Sequence, residues 1–267
     1  MNIDSFRTLV KAYYAENRRA MPWRDTIIPY WVFLSEIMLQ QTQVPRVMVK
    51  FAEFTERFAS FEELAKATPA QVLATWQGLG YNRRGLFLHK SAQMIVKEFG
   101  GVLPKSVELV DSLPGIGPAT AAAIIAYTYN IPTVFIETNI RRVFIHHFFE
   151  DKSDIDDKDL LPVVEAALDH ESPRDWYYAL MDYGTYLSKT VENPNRKSKH
   201  YAVQSKFEGS NRQVRGALLR FFVGGGSFTY SEVLKGVEFA PERVDKALAS
   251  MVKDGFLVED KKKYRLV

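Results

Sequence analysis

The chain has 267 residues, 46% of them hydrophobic, and no cysteine, which provides for a sizeable core in more than one folding unit and excludes disulfides, thiolate zinc sites, thiol nucleophiles and any cysteine-ligated iron–sulfur cluster. Its formal net charge of +3, with 25% charged residues, is too small to announce a nucleic-acid partner, so only the distribution of charge can do so. The histidines lack metal-ligand spacing and no apolar run approaches the roughly 20 residues that span a bilayer, so the expectation is a cytoplasmic protein with no metal and no membrane partner.

Helical spacing of Phe6, Leu9, Val10, Tyr13 and Tyr14 predicts a first helix over 4–17, which MPWRD then ends with a proline. Further helices are predicted over 29–39, 45–58, 60–67, 69–75, 83–99 and 107–112. Ser60 with Glu63 three residues on is a capping-box signature, Pro69 suits a first turn, and Gly100, Gly101 and Pro104 mark stops. The run TAAAIIAYTY around Pro118 reads as a buried helix, because small side chains allow close packing. Helices follow over 139–149, 159–168 and 175–187, and 192–210 reads as a polar linker. Between Lys189 and Arg220 eight lysines and arginines stand against two glutamates, a local excess of six positive charges that the total conceals. Beyond it, NRQVRGALLRFF, SFTYSEVLKGV and APERVDKALASMVKDGFL predict three helices and FLVEDKKKYRLV a terminal hairpin, a winged-helix pattern.

The segment LPGIGPAT, 113–120, lies between two predicted helices. Gly115 and Gly117 permit positive φ and the close approach of another backbone, and Pro118 starts the next helix without losing a needed hydrogen bond. Such a hairpin aims backbone N–H groups and a helix N-terminus at one place, which suits a phosphate; a plain tight turn between helices is the alternative. Two acids stand in apolar surroundings: Glu36 in WVFLSEIMLQQT, and Glu137 in PTVFIETNIRRV just before a predicted helix start. A carboxyl in an apolar environment has a raised pKa and can donate a proton, whereas one at a helix N-terminus stays ionised and can stabilise positive charge. That division suits cleavage of a glycosidic bond, where a departing purine needs protonation and the sugar develops oxocarbenium character. Taken singly, each acid also reads as an exposed or paired helical carboxylate. Tyr81, in GLGYNRRGLFLHKSA, has Arg83 and Arg84 close behind it, as an aromatic wedge for a base step or as ordinary loop packing. Gln40 and Gln41 suit hydrogen bonds to base edges, or a helix cap.

LPGIG followed by an acid about twenty residues later resembles the helix-hairpin-helix DNA glycosylase superfamily. The strings MPWRD, LSEIMLQQTQV, WQGLGYNRRGLFLHKSA and GSNRQVRG resemble the A/G-specific adenine glycosylases in order and spacing, over about the first 215 residues. The resemblance implies a mostly α fold, with a two-lobed helix-hairpin-helix glycosylase core over 1–200 and a small winged-helix domain over 211–267 joined by a linker at 201–210. The N-terminal helix is expected on the 134–200 lobe, and the hairpin 113–117 in a middle lobe over 27–133. It further implies that Glu36 protonates adenine and helps activate water, while Glu137 stabilises the oxocarbenium or a covalent sugar intermediate. Gln41 and Tyr81 would penetrate the DNA stack, Gly115 and Gly117 would contact phosphate, and Arg24 would lie beside the base with Gln40 and Ala119. Arg83, Arg141, Arg142, Lys197 and Lys199 are the further DNA contacts expected. The implied partner is double-stranded DNA carrying a mismatch or damaged base, met by a monomer that is nucleoid-associated in a prokaryote. The implied reaction is hydrolysis of the N-glycosidic bond of a flipped adenine opposite guanine or 8-oxoguanine, in base excision repair.

Departures from the family pattern carry expectations of their own. The family has aspartate where Glu137 stands, and one methylene moves a carboxylate by about 1.5 Å, enough to affect a geometry-dependent step. Ala119 stands where related bifunctional enzymes carry a lysine nucleophile, so a monofunctional enzyme that leaves an abasic site is expected. The cluster cysteines of the family, expected between 187 and 207, are replaced by SKTVENPNRKSKHYAVQSKF, so no cofactor is expected and basic residues take over that loop's DNA contact. Many members end in a Nudix-like domain; here the winged-helix pattern stands instead, as a DNA-binding or protein-binding module, with Lys261, Lys262 and Lys263 favouring DNA. The alternatives are a mismatch glycosylase of the same fold for thymine or uracil, against which Glu36 argues, and a catalytically inactive lesion-binding protein.

Overall fold

A computed structural model describes all 267 residues as a mostly helical chain with one small sheet. Local signals set the boundaries. The Asn2 side chain accepts from the Ser5 N–H and opens α1 (Ile3–Asn17). There follow α2 (Pro29–Leu39), α3 (Val44–Arg57), α4 (Phe61–Lys66), α5 (Pro69–Trp76) and α6 (Arg83–Phe99). Ser60 caps α4 by accepting from Glu63 N, and the Glu63 carboxylate reaches back to Ala59 N at 2.8 Å. Thr68 and Gln71 form a reciprocal capping box on α5. The chain continues through α7 (Val107–Asp111), α8 (Pro118–Tyr129), α9 (Thr138–Phe148), α10 (Asp157–Ala167) and α11 (Pro173–Thr190). Helix α10 starts two residues earlier than the apolar spacing indicates, because Asp156 caps it and Asp159 returns a hydrogen bond to Asp156 N.

Packing gathers these elements into two compact units, Met1–Glu36 with Pro104–Val203, and Ile37–Leu103 with Gln204–Val267. In the first, α1 lies on α10 and α11, and its Arg7 donates to the last carbonyls of α10, at Ala166 (2.9 Å), Ala167 (3.0 Å) and Leu168 (2.8 Å). Phe6, Val10, Phe144, Trp176 and Leu180 are fully buried together in its core. The stretch at 192–198 is more than a linker. A 3-10 turn (Pro194–Lys197) packs on α9, Asn195 donates to Thr138 O at 3.0 Å, and Ile155 pairs with Ser198 as a parallel bridge. Amide and backbone bonds do this work, so no apolar pattern announces it.

In the second unit, α4 and α5 lie on α6, and Trp76 meets Phe54 edge-on at 6.0 Å. The C-terminal residues form α12 (Asn211–Val223), β1 (Phe228–Thr229), α13 (Tyr230–Gly236), α14 (Pro241–Lys253), β2 (Leu257–Asp260) and β3 (Lys263–Leu266). The strands make an antiparallel sheet in the order β1-β3-β2, with Lys261 and Lys262 at positive φ in the β2–β3 turn. Val214, Leu218, Phe222 and Leu248 share their core with Leu73 of α5 and Leu86 of α6. The C-terminal segment therefore packs with 37–103 instead of standing as a separate body, and the 113–117 hairpin belongs to the first unit.

Two mid-helix glycines give opposite expectations. A Cβ on Gly184 of α11 would stand 2.7 Å from both the carbonyl oxygen and the Cβ of Asn139, whereas one on Gly216 of α12 would meet only the end of Arg220, at 3.8 Å. In urea titrations Gly184→Ala should destabilise by about 1–3 kcal/mol through overpacking, and Gly216→Ala should stabilise by about 0.5–1 kcal/mol through helix propensity.

Candidate active site

Glu137 is the N-cap of α9. Its Oε1 accepts from the N–H groups of Asn139 (2.5 Å) and Ile140 (2.9 Å), satisfying two donors that the first helical turn leaves open. Glutamate is not among the preferred N-caps, yet the longer side chain keeps this one bonded. The second oxygen has only Asn139 Nδ2, at 3.4 Å. Asn139 is itself held: its Oδ1 accepts from Arg142 Nη1 (2.7 Å), which also donates to Gly184 O (2.9 Å), and its backbone lies against Gly184. Burial raises the Glu137 pKa and outweighs the lowering by its two N–H bonds and by Arg142 and Arg141. The expectation that a helix N-terminus alone would keep its pKa low is therefore too simple.

Glu36 sits on α2 among the buried residues Phe33, Leu34, Ser35 and Ile37. Burial, then the charge of Glu137, pushes its pKa up to about 8, against a smaller lowering by Arg24. No hydrogen bond offsets that rise as the helix N-terminus does for Glu137. Of two carboxyls that repel each other, the one with donors ionises first. Glu137 is thus the anion of the pair, and Glu36 holds the proton near neutrality.

Two tyrosines and an arginine complete the surroundings. Tyr127 of α8 stacks on Tyr178 of α11, with ring centroids 4.4 Å apart and planes 6° off parallel. Burial, followed by the charge of Glu36, raises both phenols well above their usual range, and Glu137 adds to the rise at Tyr127. Both remain neutral. Arg24 lies 4.5 Å over the Tyr178 ring and donates to both Asp182 oxygens at 2.9 Å; Arg19 reaches the same carboxylate at 2.6 Å. The Arg24 Nε is buried without a partner. Little in the sequence marks Tyr127, Tyr178 or Asn139: a tyrosine in an alanine-rich buried helix reads as core, and the asparagine beside the acid is the one signal.

The remaining expected contacts of this unit fall into two groups. Gly115 has φ +77°, which its turn requires, while Gly117 is extended at φ −117° and serves as the N-cap of α8 with no side-chain cap. Of the two glycines that permit positive φ, Gly115 alone uses it. Ala119 is exposed in that first turn. The cations, by contrast, are already engaged. Arg141 is bidentate to Asp157 (2.7 and 2.6 Å), Arg142 is buried beneath Asn139, Lys197 donates to Glu150 O, and Lys199 lies 3.5 Å from Asp154. Nothing in the segment 187–207 fits the family's iron–sulfur cluster, because the chain offers no thiolate and no grouping of three or more metal-ligating side chains.

In the second unit, Gln41 and Tyr81 are exposed non-glycine residues at positive φ, +54° and +45°, each a strain of about 1–3 kcal/mol of the kind found at functional turns. Arg84 ties their loops together. Its Nη1 donates to Ile37 O, Met38 O and Gln40 O, and its Nη2 to Thr42 Oγ1, Leu79 O and Gly80 O. With no anion beside it, burial lowers its pKa to about 10. Arg83, one position earlier, is exposed and pairs with Asp254. Gln40 is half-buried.

Residues 34–161 match the family described as HhH-GPD superfamily base excision DNA repair protein. A protein of Mycolicibacterium smegmatis named adenine DNA glycosylase is 31% identical over 274 aligned residues, which cover 92% of this chain and 90% of that protein. One of Buchnera aphidicola with the same name is 35% identical over 143 residues, 54% of this chain and 41% of that protein. Among solved structures, a thermostable thymine-DNA glycosylase shares the fold with a TM-score of 0.63 at 22% identity, over 73% of this chain and 91% of that one.

The position of Glu36 has a cost that can be measured. Its folded-state pKa of about 8 exceeds the ordinary 4.5, so the folded state binds the extra proton; the associated stability is complete below the unfolded value and is lost as pH rises through that window. Glu36→Gln should match wild type in urea unfolding at pH 4.5 and exceed it at pH 8.5 by about 1–3 kcal/mol.

Proposed function

The chain belongs to the HhH-GPD superfamily of base excision DNA repair proteins and, within it, to the adenine DNA glycosylases, and we propose that it hydrolyses the N-glycosidic bond of an adenine flipped out of duplex DNA opposite guanine or 8-oxoguanine. What supports this reading is the unequal setting of the two carboxyls: Glu137 accepts the two N–H groups that open α9, whereas Glu36, facing the Glu137 charge, has its pKa pushed up to about 8. Glu36 gives its proton to a ring nitrogen of adenine. The C1′–N9 bond then breaks, and its electron pair leaves with the neutral base. The positive charge left on the sugar faces the Glu137 carboxylate, which the α9 N-terminus and Asn139 hold in place. Water adds at C1′ and passes a proton to Glu36, now the base, which restores the enzyme and leaves an abasic site.

The other residues take roles that follow from their positions. Tyr127, a neutral phenol beside both acids, orients substrate or water without competing for the proton, and Arg24 fixes the floor of the site through Asp182. Gly115, Gly117 and the uncapped start of α8 receive a phosphate. Gln41 and Tyr81 enter the stack that the adenine vacates. Arg83, Arg141, Lys197 and Lys199 add to the field that attracts DNA, each from an existing ion pair or hydrogen bond, and Arg142 acts through Asn139. Ala119 offers no amine, so no Schiff base forms. The C-terminal helices and sheet act as a winged helix with Lys261, Lys262 and Lys263 on its turn.

A single-turnover assay on duplexes carrying A opposite 8-oxoguanine, A opposite G, T opposite G and U opposite G tests this. Adenine should be released from the first two, leaving an abasic strand cut only by alkali and no borohydride-trapped adduct. The rate should decline as pH rises through about 8, and Glu36→Gln should lower it by about 10²–10⁴-fold. Release of thymine or uracil without adenine overturns the assignment, and binding of every duplex without base release favours a lesion-binding protein.

A further inference from the structure

The GSNRQVRG string has no part in the chemistry above, yet it arrives at Tyr81. In the first turn of α12, Arg212 Nη1 donates to the Tyr81 phenol oxygen at 3.0 Å, and the guanidinium carbon stands 5.8 Å from that ring's centroid. Its Nη2 donates to Ser205 O (2.7 Å), Ser205 Oγ (3.1 Å) and Lys206 O (3.5 Å), so the guanidinium is fixed at both ends. Three residues on, Arg215 pairs with Asp254 at 2.8 Å, and the same carboxylate takes Arg83, two residues after Tyr81. Behind these polar contacts, Val214 and Leu218 are buried with Leu73 and Leu86.

Tyr81 needs such support. It is 36% exposed and holds φ +45°, so neither burial nor an easy backbone conformation fixes its ring. The ring is held instead between two guanidinium groups, Arg84 at 5.6 Å and Arg212. A residue in a sparsely populated conformation persists only where its neighbours determine it, and a side chain ordered before binding loses less freedom when it binds.

We propose that Arg212 is a positioning residue for DNA engagement, holding Tyr81 ready to enter the base stack and so giving the C-terminal module a share in lesion binding through that tyrosine. The proposal rests on the reading of Tyr81 as the residue that enters DNA. The full chain is titrated with a duplex carrying A opposite 8-oxoguanine and 2-aminopurine at the neighbouring step, whose fluorescence reports unstacking. Tyr81→Phe removes only the acceptor of the Arg212 bond, and at an exposed position it leaves folding intact even where Arg212→Ala does not. Each variant should weaken binding and the unstacking signal by about three- to tenfold, and the double variant should be no worse than either single one. Arg220→Ala, which removes the same charge from an exposed position of the same helix, should stay within about twofold of wild type. A Tyr81→Phe protein that matches wild type while Tyr81→Ala is impaired, or losses that multiply in the double variant, overturns the role of Arg212. A Tyr81→Ala protein that binds and unstacks normally overturns instead the reading of Tyr81.

Discussion

Two half-buried carboxyl groups whose charges repel favour a single anion near neutral pH, and the chemistry proposed for this protein depends on which of them yields. The backbone decides. Glu137 is placed where a helix begins, so the N–H groups of Asn139 and Ile140 converge on one of its oxygens. Glu36 lies within a helix whose own donors are already engaged, and the charge of Glu137 is added to the burial it suffers. Similar side chains thus acquire different protonation states from their positions on α2 and α9.

The groups around the pair keep that difference from relaxing. Arg142 reaches Asn139 and Gly184 with one nitrogen, which fixes the asparagine beside Glu137 and joins α9 to α11. Arg24 sends its charge into Asp182, so its lowering of the Glu36 pKa is the smallest of the three influences. A free guanidinium in the same place would stabilise the Glu36 anion and lower its pKa further. In the second unit Arg84 does comparable structural work without any anion, bonding backbone carbonyls and the Thr42 hydroxyl so that two strained turns keep their shape. Such buried cations are hard to replace, because a lysine lacks the planar fork that serves several acceptors at once.

Much of this was legible in the sequence, and where it was not the reason is physical. The cap at Ser60, the first-turn Pro69 and the alanine-rich α8 follow from local rules, and the structure holds them where those rules put them. Arg83 and Arg84, by contrast, look alike in the sequence; one step of about 100° around a helix leaves the first exposed and paired with Asp254 and sends the second into the carbonyl cage. The bonds that organise 193–198 run to Thr138 and Ile155, far along the chain, and no local pattern encodes them. Tyr127 escaped for a related reason, since periodicity identifies a buried helix but not which of its side chains lies beside a carboxyl. The same limit hid the packing of α12 against α5, which polar residues before Asn211 disguise as independence.

The proton assigned to Glu36 can be located without DNA. Carbon-13 NMR of protein labelled at the glutamate carboxyl carbons, titrated from acid to alkaline pH, should show one carboxyl changing near pH 8, absent from Glu36→Gln and shifted downward in Glu137→Gln, where the repelling charge is gone. A spectrum in which every glutamate titrates in the ordinary range, or in which the high-pH carboxyl ignores Glu137→Gln, would contradict the account.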